Sequence, residues 1–179
     1  MKWMIASDIH GSRKTCAQLL DAYEKENAEQ LLLLGDLLYH GPRNGLPDAY
    51  DPKEVASLLN KYKDKIICVR GNCDAEVDQL LLDFPILEEH RLFMIGDRPL
   101  FATHGHVYNE SNPPAFRRSG ILLCGHFHVP AITRHEHFLY CNPGSVTFPK
   151  SSFPKTYMIL EDAVFTIKDL AGNIVCREQ

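Results

Sequence analysis

The chain has no paired CxxC cysteines, no apolar run long enough to cross a bilayer and no excess of positive charge. Its 6 cysteines are scattered, so neither a zinc ribbon nor a dithiol redox motif is predicted, and most are expected to be reduced and buried. The net charge of -4 argues against extended nucleic acid as a partner. Because the first residues, MKWMIASDIHG, indicate a strand rather than a signal peptide, we expect a cytoplasmic protein with no membrane partner.

The chain does contain an alternation of short apolar runs and helical patterns, which is typical of an α/β fold. A chain of 179 residues can bury roughly 70% of its unfolded surface, so its core needs no disulfides and no structural metal. No internal repeat, low-complexity tract or linker interrupts the pattern. We therefore predict a single domain over residues 1–179.

The periodicity of apolar residues predicts the order of helices and strands. In the first part we expect strands at Lys2–Ser7, Gln30–Leu34 and Lys65–Arg70, and helices at about Lys14–Glu26, from Asp51 to about Tyr62, and near Ala75–Leu82. In the second part we expect strands at Ile86–Glu89, Arg91–Ile95, Leu100–Thr103 and Ile121–Cys124, then antiparallel hairpins from Ala131 to Glu178. Residues 39–52, with three prolines and two glycines, are expected to form a long loop without regular structure.

Five of the apolar runs end in side chains that bind metals, namely MIASDIH, LLLLGD, IICVRGNCD, LFATHGH and ILLCGHFH. The candidate ligands are Asp8, His10, Asp36, Asn72, His104, His126 and His128. In open α/β sheets, ligands bind beyond the carboxyl ends of the strands. The repetition therefore predicts a polynuclear metal centre at one sheet edge.

The donor set consists of two carboxylates, one amide and four imidazoles. Such mixed nitrogen and oxygen ligands suit manganese, iron, zinc, cobalt or nickel better than calcium, and no thiolate is required. In Asp8-Ile9-His10, residues two apart in an extended segment would face the same way, so the carboxylate and the imidazole could reach one ion. The same geometry is expected at His126-Phe127-His128.

Each motif has a structural alternative when it is taken alone. Taken alone, an Asp-x-His segment favours a solvated or capping role, and Gly35-Asp36 and Gly71-Asn72 each favour a simple turn. The Gly-His-x-His segment is the most specific of them, although two strand-end histidines without a metal are about equally compatible with it. His135-Glu136-His137 has the same spacing but no preceding glycine turn, so we expect exposed strand histidines there.

Taken in order, the motifs D-x-H, G-D, G-N-C-D, H-G-H and G-H-x-H resemble the signature of the calcineurin-like metallophosphoesterase superfamily. The later segment Asn142-Pro143-Gly144-Ser145 and the loop that begins His40-Gly41-Pro42 resemble its compact subgroup, which contains YfcE-type bacterial phosphodiesterases and the Vps29 scaffold. The resemblance implies two packed mixed β-sheets flanked by helices, with a dimetal site at the carboxyl ends of the strands.

The resemblance also implies how the ligands are shared. Asp8, His10, Asp36 and His128 are expected to hold one divalent ion, and Asp36, Asn72, His104 and His126 the other, so that Asp36 bridges. Manganese is the expected metal, with zinc, iron, cobalt and nickel as alternatives. Two cations roughly 3.5–4 Å apart can share one water, lower its pKa and clamp the phosphoryl oxygens for in-line attack by a bridging hydroxide. The expected substrate is a small phosphodiester.

One residue departs from the wider superfamily pattern. Many of these phosphatases carry histidine after the asparagine of G-N, where it is thought to protonate the leaving oxygen, whereas this chain has Cys73. A neutral thiol is a poor general acid at pH 7, which favours diesters with activated leaving groups over monoesters. Asp36, His106 and Cys73 are the residues expected at the reacting centre, with an inert role left open for Cys73.

Cationic side chains near the motifs are candidates for binding phosphate. We expect no more than one of Arg13, Arg43 and Arg70 to pair with a phosphoryl oxygen, and His40 and Arg43 to line the entrance. A non-catalytic scaffold of the Vps29 type and a phosphomonoesterase are the alternative functions. A homo-oligomer is compatible with the family likeness, although no residue marks an interface.

Overall fold

The computed structural model describes residues 1–116 and 119–178. Its first part contains β1 (Lys2–Ala6), α1 (Arg13–Glu26), β2 (Gln30–Leu33), α2 (Pro52–Asn60), β3 (Ile66–Cys68) and two short 3₁₀ helices at Lys63–Lys65 and Glu76–Leu80. The remaining strands are β4 (His90–Ile95), β5 (Arg98–Thr103), β6 (Gly120–Leu123), β7 (Pro130–Arg134), β8 (Phe138–Pro143), β9 (Thr156–Glu161), β10 (Val164–Asp169) and β11 (Ile174–Arg177). No helix in these two ranges has the length and apolar character needed to cross a membrane.

The strands form two mixed sheets, as the family resemblance implies. The first has the order β11-β10-β9-β1-β2-β3, in which β1, β2 and β3 are parallel, and the second has the order β4-β5-β6-β8-β7, in which β5, β6 and β8 are parallel. Because side chains alternate along a strand, Trp3 and Ile5 pack between the sheets while Met4 and Ala6 face the helices. The predicted pair of packed mixed sheets is confirmed, with α1 and α2 on the outer face of the first sheet.

Local sequence signals explain both helix starts. Ser12 accepts a hydrogen bond from the Thr15 backbone N–H at 3.4 Å, and Asp51 accepts one from the Glu54 N–H at 3.0 Å with Pro52 as the first helical residue. Free N–H groups at a helix start are satisfied in this way by short polar side chains. The helix expected from Asp51 to about Tyr62 has Asp51 as its N-cap residue and ends two residues earlier than expected.

Two strand predictions are wrong. Residues 86–89 form no strand; Ile86 is buried against the helices, and its N–H donates to Gln79 Oε1 at 3.1 Å rather than to a neighbouring strand. An apolar run that packs as an irregular segment has the same composition as a short buried strand. Residues 135–137 lie in the turn between β7 and β8 rather than in a strand. His137 is exposed, as predicted, whereas His135 is partly buried. The antiparallel hairpins of the tail are confirmed.

Candidate metal centre

All seven candidate ligands follow the carboxyl ends of parallel strands. Asp8 and His10 follow β1, Asp36 follows β2 and Asn72 follows β3, whereas His104 follows β5 of the second sheet and His126 and His128 follow β6. The strand ends of the two sheets meet in one place. His128 Nε2 of the second sheet lies 3.1 Å from Asp8 Oδ1 of the first, and His104 Nε2 lies 3.1 Å from Asn72 Oδ1. The predicted convergence at a sheet edge is therefore present.

The backbone is left-handed rather than extended at five of the candidate ligands, namely Asp8, His10, Asp36, His126 and His128. Asp8 and His10 have φ of 62° and 51°, and His126 and His128 have φ of 64° and 61°. The expectation of extended Asp-x-His and His-x-His segments is wrong. Asp and His tolerate this region better than most residues, yet each still costs of the order of 1 kcal/mol. Such strain clusters at functional sites, where the surrounding structure must hold it in place.

The strain is held by hydrogen bonds between neighbouring loops. The N–H of Asp8 donates to the Gly35 carbonyl at 3.1 Å, and that of His10 donates to the Asp36 carbonyl at 2.9 Å. The N–H of His126 donates to the Asp8 carboxylate at 3.1 Å. The loop after β1 is therefore fixed against the loop after β2, and the loop after β6 is fixed against the loop after β1.

Gly35 and Gly71 allow the second and third loops to touch backbone to backbone. A Cβ on Gly35 would lie 2.3 Å from the Gly71 nitrogen, and a Cβ on Gly71 would lie 2.1 Å from Asp36 Oδ1. These glycines serve close approach as well as the sharp turn expected from the sequence. The contact brings Asp36 and Asn72 together over the sheet edge.

One group of donors is centred on the Asp8 carboxylate. Its Oδ1 lies 3.1 Å from His128 Nε2 and 3.5 Å from His10 Nε2, and the two imidazole nitrogens are themselves 3.5 Å apart. Asp8 is fully buried and His10 nearly so. Nitrogen and carboxylate donors therefore converge on one point.

The second group is centred on Asp36 and His104. Asp36 Oδ2 lies 3.4 Å from His104 Nε2 and 3.7 Å from His10 Nε2, so this carboxylate faces both groups. His104 Nε2 is also 3.1 Å from Asn72 Oδ1 and 3.2 Å from His126 Nδ1. Asp36 thus occupies the position between the two sets of imidazoles.

Backbone carbonyls orient three of the imidazoles. The Nδ1 atoms of His10, His104 and His128 donate to the carbonyls of Tyr39, Leu34 and Phe148 at 2.8, 2.6 and 2.7 Å. A carbonyl can only accept, so the hydrogen of a neutral ring is on Nδ1 and the Nε2 lone pair points into the site. This arrangement is typical of metal-ligating histidines.

The electrostatics of the site favour positive charge between the carboxylates. Burial alone would raise the pKa of Asp8, but hydrogen bonds with His10 and His128 hold it well below its usual range. Burial likewise opposes protonation of His104, yet the Asp36 hydrogen bond and the charge of Asp8 raise its pKa to about 9. Burial and the charge of His104 lower the pKa of His126 to about 4. A cation would complement this arrangement.

The donors fit a divalent metal on the evidence of an unsatisfied atom. When His10 and His128 are neutral, their hydrogens lie on Nδ1, so the buried Asp8 Oδ1 faces two Nε2 lone pairs and has no hydrogen-bond donor, whereas buried polar atoms are normally paired. Three groups of possible ligand atoms lie within 4.8 Å of one another among the described residues: Asp8 with His10 and His128, Asp8 with Asp36 and His104, and His10 with Asp36 and Cys73. The last group places a thiol within ligand distance, although the sequence required none.

Asp74 supports the site and was missed as a functional residue. Its buried carboxylate accepts hydrogen bonds from the backbone N–H groups of Asp36 at 2.8 Å, Leu37 at 2.8 Å and Gly71 at 2.7 Å. It therefore holds together the two loops that carry Asp36 and Asn72. The only sequence signal was its place as the last residue of G-N-C-D.

The Asn142-Pro143-Gly144-Ser145 segment supports the ligand loops from behind. Asn142 Nδ2 donates to the Gly125 carbonyl at 2.8 Å, directly before His126, and Ser145 Oγ donates to the Asp8 carbonyl at 3.1 Å. These contacts fix the loops that carry His126 and Asp8 from the side away from the cleft's ligands.

A cleft of about 420 Å³ opens over the candidate ligands. Its walls include two cationic side chains, Arg43 from the long loop and Lys150 from the segment after β8. Lys150 was not expected, because no motif surrounds it. Cys73 also lines this cleft, and burial, followed by the negative charge of Asp36, raises the pKa of its thiol to about 12.

The other candidates occupy different environments. Arg70 donates to the Asp74 carbonyl at 3.2 Å and lies 3.8 Å from Glu89, so its guanidinium is engaged away from the cleft. Arg13 is exposed at the start of α1. Of the three arginines, Arg43 therefore remains as the phosphate-binding candidate.

The two remaining histidines differ in access. His106 is exposed, with its ring 5.5 Å from that of His104, and burial lowers its pKa. His40 is half-buried between the rings of Tyr39 and Tyr50, at 4.7 and 5.4 Å. His106 thus lies beside the ligands, whereas His40 packs within the long loop.

Comparison with known proteins agrees with this geometry. Phosphodiesterase YfcE of Escherichia coli strain K12 is 43% identical over 167 residues, covering 93% of this chain and 91% of that protein. The solved structure of YfcE, described as a phosphoesterase from E. coli, has a TM-score of 0.96 at 41% identity and covers 99% of this chain and 98% of that chain.

More distant relatives share the fold alone. A Vps29 single mutant from Entamoeba histolytica has a TM-score of 0.61 at 22% identity, covering 93% of this chain and 90% of that chain. Residues 1–163 match the calcineurin-like phosphoesterase superfamily domain. The order of motifs, the paired mixed sheets and these matches agree, and the chain belongs to the calcineurin-like phosphoesterase superfamily.

Proposed function

We propose that this protein is a metal-dependent phosphodiesterase that hydrolyses a small phosphodiester at a site for two divalent metal ions. The observation that carries the proposal is the convergence of seven oxygen and nitrogen donors, three of them imidazoles whose Nδ1–H groups are held by backbone carbonyls. The E. coli relative at 43% identity is named a phosphodiesterase, which supports the same reaction class.

The proposed division of ligands follows the two groups of contacts. Asp8, His10, Asp36 and His128 would hold one ion, and Asp36, Asn72, His104 and His126 the other. Asp36 is the proposed shared ligand because its Oδ2 faces His10 at 3.7 Å and His104 at 3.4 Å. Manganese is the proposed metal, with zinc, iron, cobalt and nickel also suited to this mixture of imidazole and carboxylate ligands.

When bound, two such ions would supply Lewis-acid charge and lower the pKa of a shared water. The chain's own residues contribute the rest. Arg43 and Lys150 line the cleft as positive charges available to a phosphate oxygen, and the left-handed turns hold the carboxylates and imidazoles rigidly. The cleft volume of about 420 Å³ falls within the range of small-molecule sites, which favours a small substrate.

The thiol of Cys73 favours esters with an activated leaving group. With a pKa raised to about 12 by burial and the charge of Asp36, it stays protonated at neutral pH and is a poor match for a general acid that must deliver its proton at pH 7. Esters whose alcohol leaves without protonation should therefore react best. Aryl diesters satisfy that condition.

A non-catalytic scaffold of the Vps29 type is a weaker alternative. The likeness to Vps29 concerns the fold only, whereas every donor of the proposed site is present and Asp8, His10, Asp36, His104 and His128 are buried. Strained turns that bring buried carboxylates and imidazoles together at one point have no role in a non-catalytic scaffold.

The test compares the wild-type protein with Asp36→Asn, using bis(p-nitrophenyl) phosphate and p-nitrophenyl phosphate, with manganese and with a chelator. Wild-type turnover should require metal and favour the diester, and Asp36→Asn should lower kcat about 10³-fold, as loss of a principal electrostatic group does, without unfolding the protein. Asp97→Asn, an identical change at an exposed hairpin residue, is the control.

Three results would contradict the proposal. Near-normal turnover by Asp36→Asn in saturating metal would refute the bridging role, and faster hydrolysis of the monoester than of the diester would refute the substrate preference. Absence of metal-dependent turnover in the wild-type protein would favour the scaffold.

A further inference from the structure

A second cavity, of about 280 Å³, lies beside the metal cleft. Its walls are mainly apolar and aromatic and include Tyr39 and Tyr50 of the long loop, Pro52 at the start of α2 and Leu81 after the second 3₁₀ helix. Tyr39 and Leu81 are 41% and 43% exposed, so their apolar surfaces are open to a ligand. We call this cavity the tyrosine pocket.

Cys73 forms part of the wall of both cavities. Its backbone N–H donates to Asp36 Oδ1 at 2.8 Å, which places this residue directly against the proposed bridging carboxylate. A phosphate held over Asp36 would therefore have one of its substituents directed past a small side chain into the tyrosine pocket.

The tyrosine pocket is unfavourable to an anionic group such as phosphate. Asp78, its acidic wall residue, carries a negative charge, and its Oδ2 accepts the Ala75 backbone N–H at 2.8 Å. Aromatic rings and aliphatic side chains favour flat apolar partners, which stack on or against them. The metal cleft, in contrast, has carboxylates, imidazoles, Arg43 and Lys150 in its walls. The two adjoining cavities thus differ in the chemistry that they select.

We propose that the tyrosine pocket binds one ester substituent of the substrate, an aromatic or similarly flat apolar group, while the phosphate lies in the metal cleft. This inference rests on the proposed function and specifies its substrate class. A diester always has a second substituent to place in or beside the cleft, whereas a monoester has none once its single ester group is oriented for departure. Cys73 is the wall residue that the cleft and the pocket share, so a substituent that passes its side chain would enter the tyrosine pocket.

Inhibition by phosphonates tests this assignment without dependence on the leaving group. Phenylphosphonate and methylphosphonate present the same anion to the metals, and only the first carries an aromatic substituent. Burial of a ring in an apolar pocket should make the inhibition constant of phenylphosphonate about tenfold lower than that of methylphosphonate. Both constants are measured on the manganese-loaded wild-type enzyme with bis(p-nitrophenyl) phosphate as the substrate.

The decisive variant is Leu81→Glu, which places a charge on the wall of the tyrosine pocket. It should raise the inhibition constant of phenylphosphonate about tenfold and leave that of methylphosphonate within about twofold. The matched control is Leu80→Glu, the same change at the preceding residue, whose side chain is 84% exposed. A second variant, Leu81→Ala, removes apolar wall surface without adding charge and should raise the phenylphosphonate constant in the same selective way, by a smaller factor.

The outcomes separate the two proposals. Metal-dependent turnover with equal inhibition constants for the two phosphonates, or with equal effects of Leu81→Glu and Leu80→Glu, would overturn the tyrosine pocket as a substituent site and leave the phosphodiesterase intact. No metal-dependent turnover in the wild-type protein would refute the proposed function and this inference together. Selective loss of phenylphosphonate binding in both wall variants would support the assignment.

Discussion

Replacing Asp74 tests how the turn that carries Asp36 is held in place. The carboxylate of Asp74 is 3% exposed and accepts three backbone N–H groups, two on Oδ2 and one on Oδ1. In Asp74→Asn, the amide oxygen can still accept the two hydrogen bonds from the Asp36 and Gly71 N–H groups, but the amide nitrogen then faces the Leu37 N–H. One buried donor loses its acceptor and meets another donor.

The expected cost follows from that lost contact. A buried donor without a partner costs about 1–3 kcal/mol, and a hydrogen bond to a charged group is worth about 1.5–3 kcal/mol. Burial, followed by the charge of Asp36, raises the pKa of Asp74, so removing its charge recovers part of the cost. We expect a net loss of about 2 kcal/mol for Asp74→Asn and about 4 kcal/mol for Asp74→Ala, which leaves all three donors unpaired.

Urea unfolding followed by circular dichroism measures these losses, and a loss of 2 kcal/mol should lower Tm by about 4–8 °C in a chain of this size. Turnover should fall as well, because the Asp36 carboxylate loses its fixed position. The control is Asp78→Asn, where one partly exposed carboxylate accepts a single N–H from Ala75 and a loss of no more than about 1 kcal/mol is expected. Equal losses in Asp74→Asn and Asp78→Asn would refute the reasoning.

Two further predictions concern Glu26 and Cys73. Burial alone would raise the pKa of Glu26, but hydrogen bonds from Lys168, Lys2 and Tyr157 lower it from 4.5 to about 2. The ionised Glu26 therefore stabilises the folded protein by at most about 3 kcal/mol. This contribution is fully present above pH 4.5 and is lost as the pH falls towards 2. Glu26→Gln should therefore be less stable than wild type in urea at pH 7, and the difference should shrink steadily as the pH falls from 4.5 to 2. Glu29→Gln, with a side chain 62% exposed, should differ little from wild type at any of these pH values. A difference for Glu26→Gln that does not shrink would count against the ion cluster. Cys73→His should raise kcat/KM for phenyl phosphate about 10²-fold, because histidine can act as a general acid. Cys73→Ser, the control, should not raise it. Equal kcat/KM values for the two variants would show that acidity at this position does not limit hydrolysis of the monoester.

The donor set of the candidate site and its place at a sheet edge were predictable, because both depend on the types of residues and their order along the chain. Five apolar runs followed by carboxylate, amide or imidazole side chains indicated both the sheet edge and the donor set, and the structure brings those side chains together. The turns themselves were not predictable in the same way. Asp8 and His10 were expected in an extended segment, yet both are left-handed, since the hydrogen bonds that hold them come from residues 35 and 36 on another loop.

The errors outside the site have a similar origin. Ile86 was placed in a strand because a short apolar run is compatible with a buried strand, but the irregular segment that buries Phe84 and Ile86 against the helices has the same composition. Asp74 and Lys150 went unassigned because their roles depend on neighbours that are distant in the chain or on a cavity wall, neither of which leaves a periodic pattern.

The amino-acid sequence alone determined the fold class, the identity of the seven donors and the family, because these depend on local periodicity and on an ordered set of motifs. Only the tertiary structure decided that the Asp36 carboxylate faces both His10 and His104, that Nε2 of His10, His104 and His128 faces the site, and that Cys73 borders both a polar cleft and an apolar pocket. Those features depend on distances between residues far apart in sequence, from Asp8 to His128 and from Tyr39 to Leu81. Packing of the two sheets and their loops sets such distances, and local residue preferences do not.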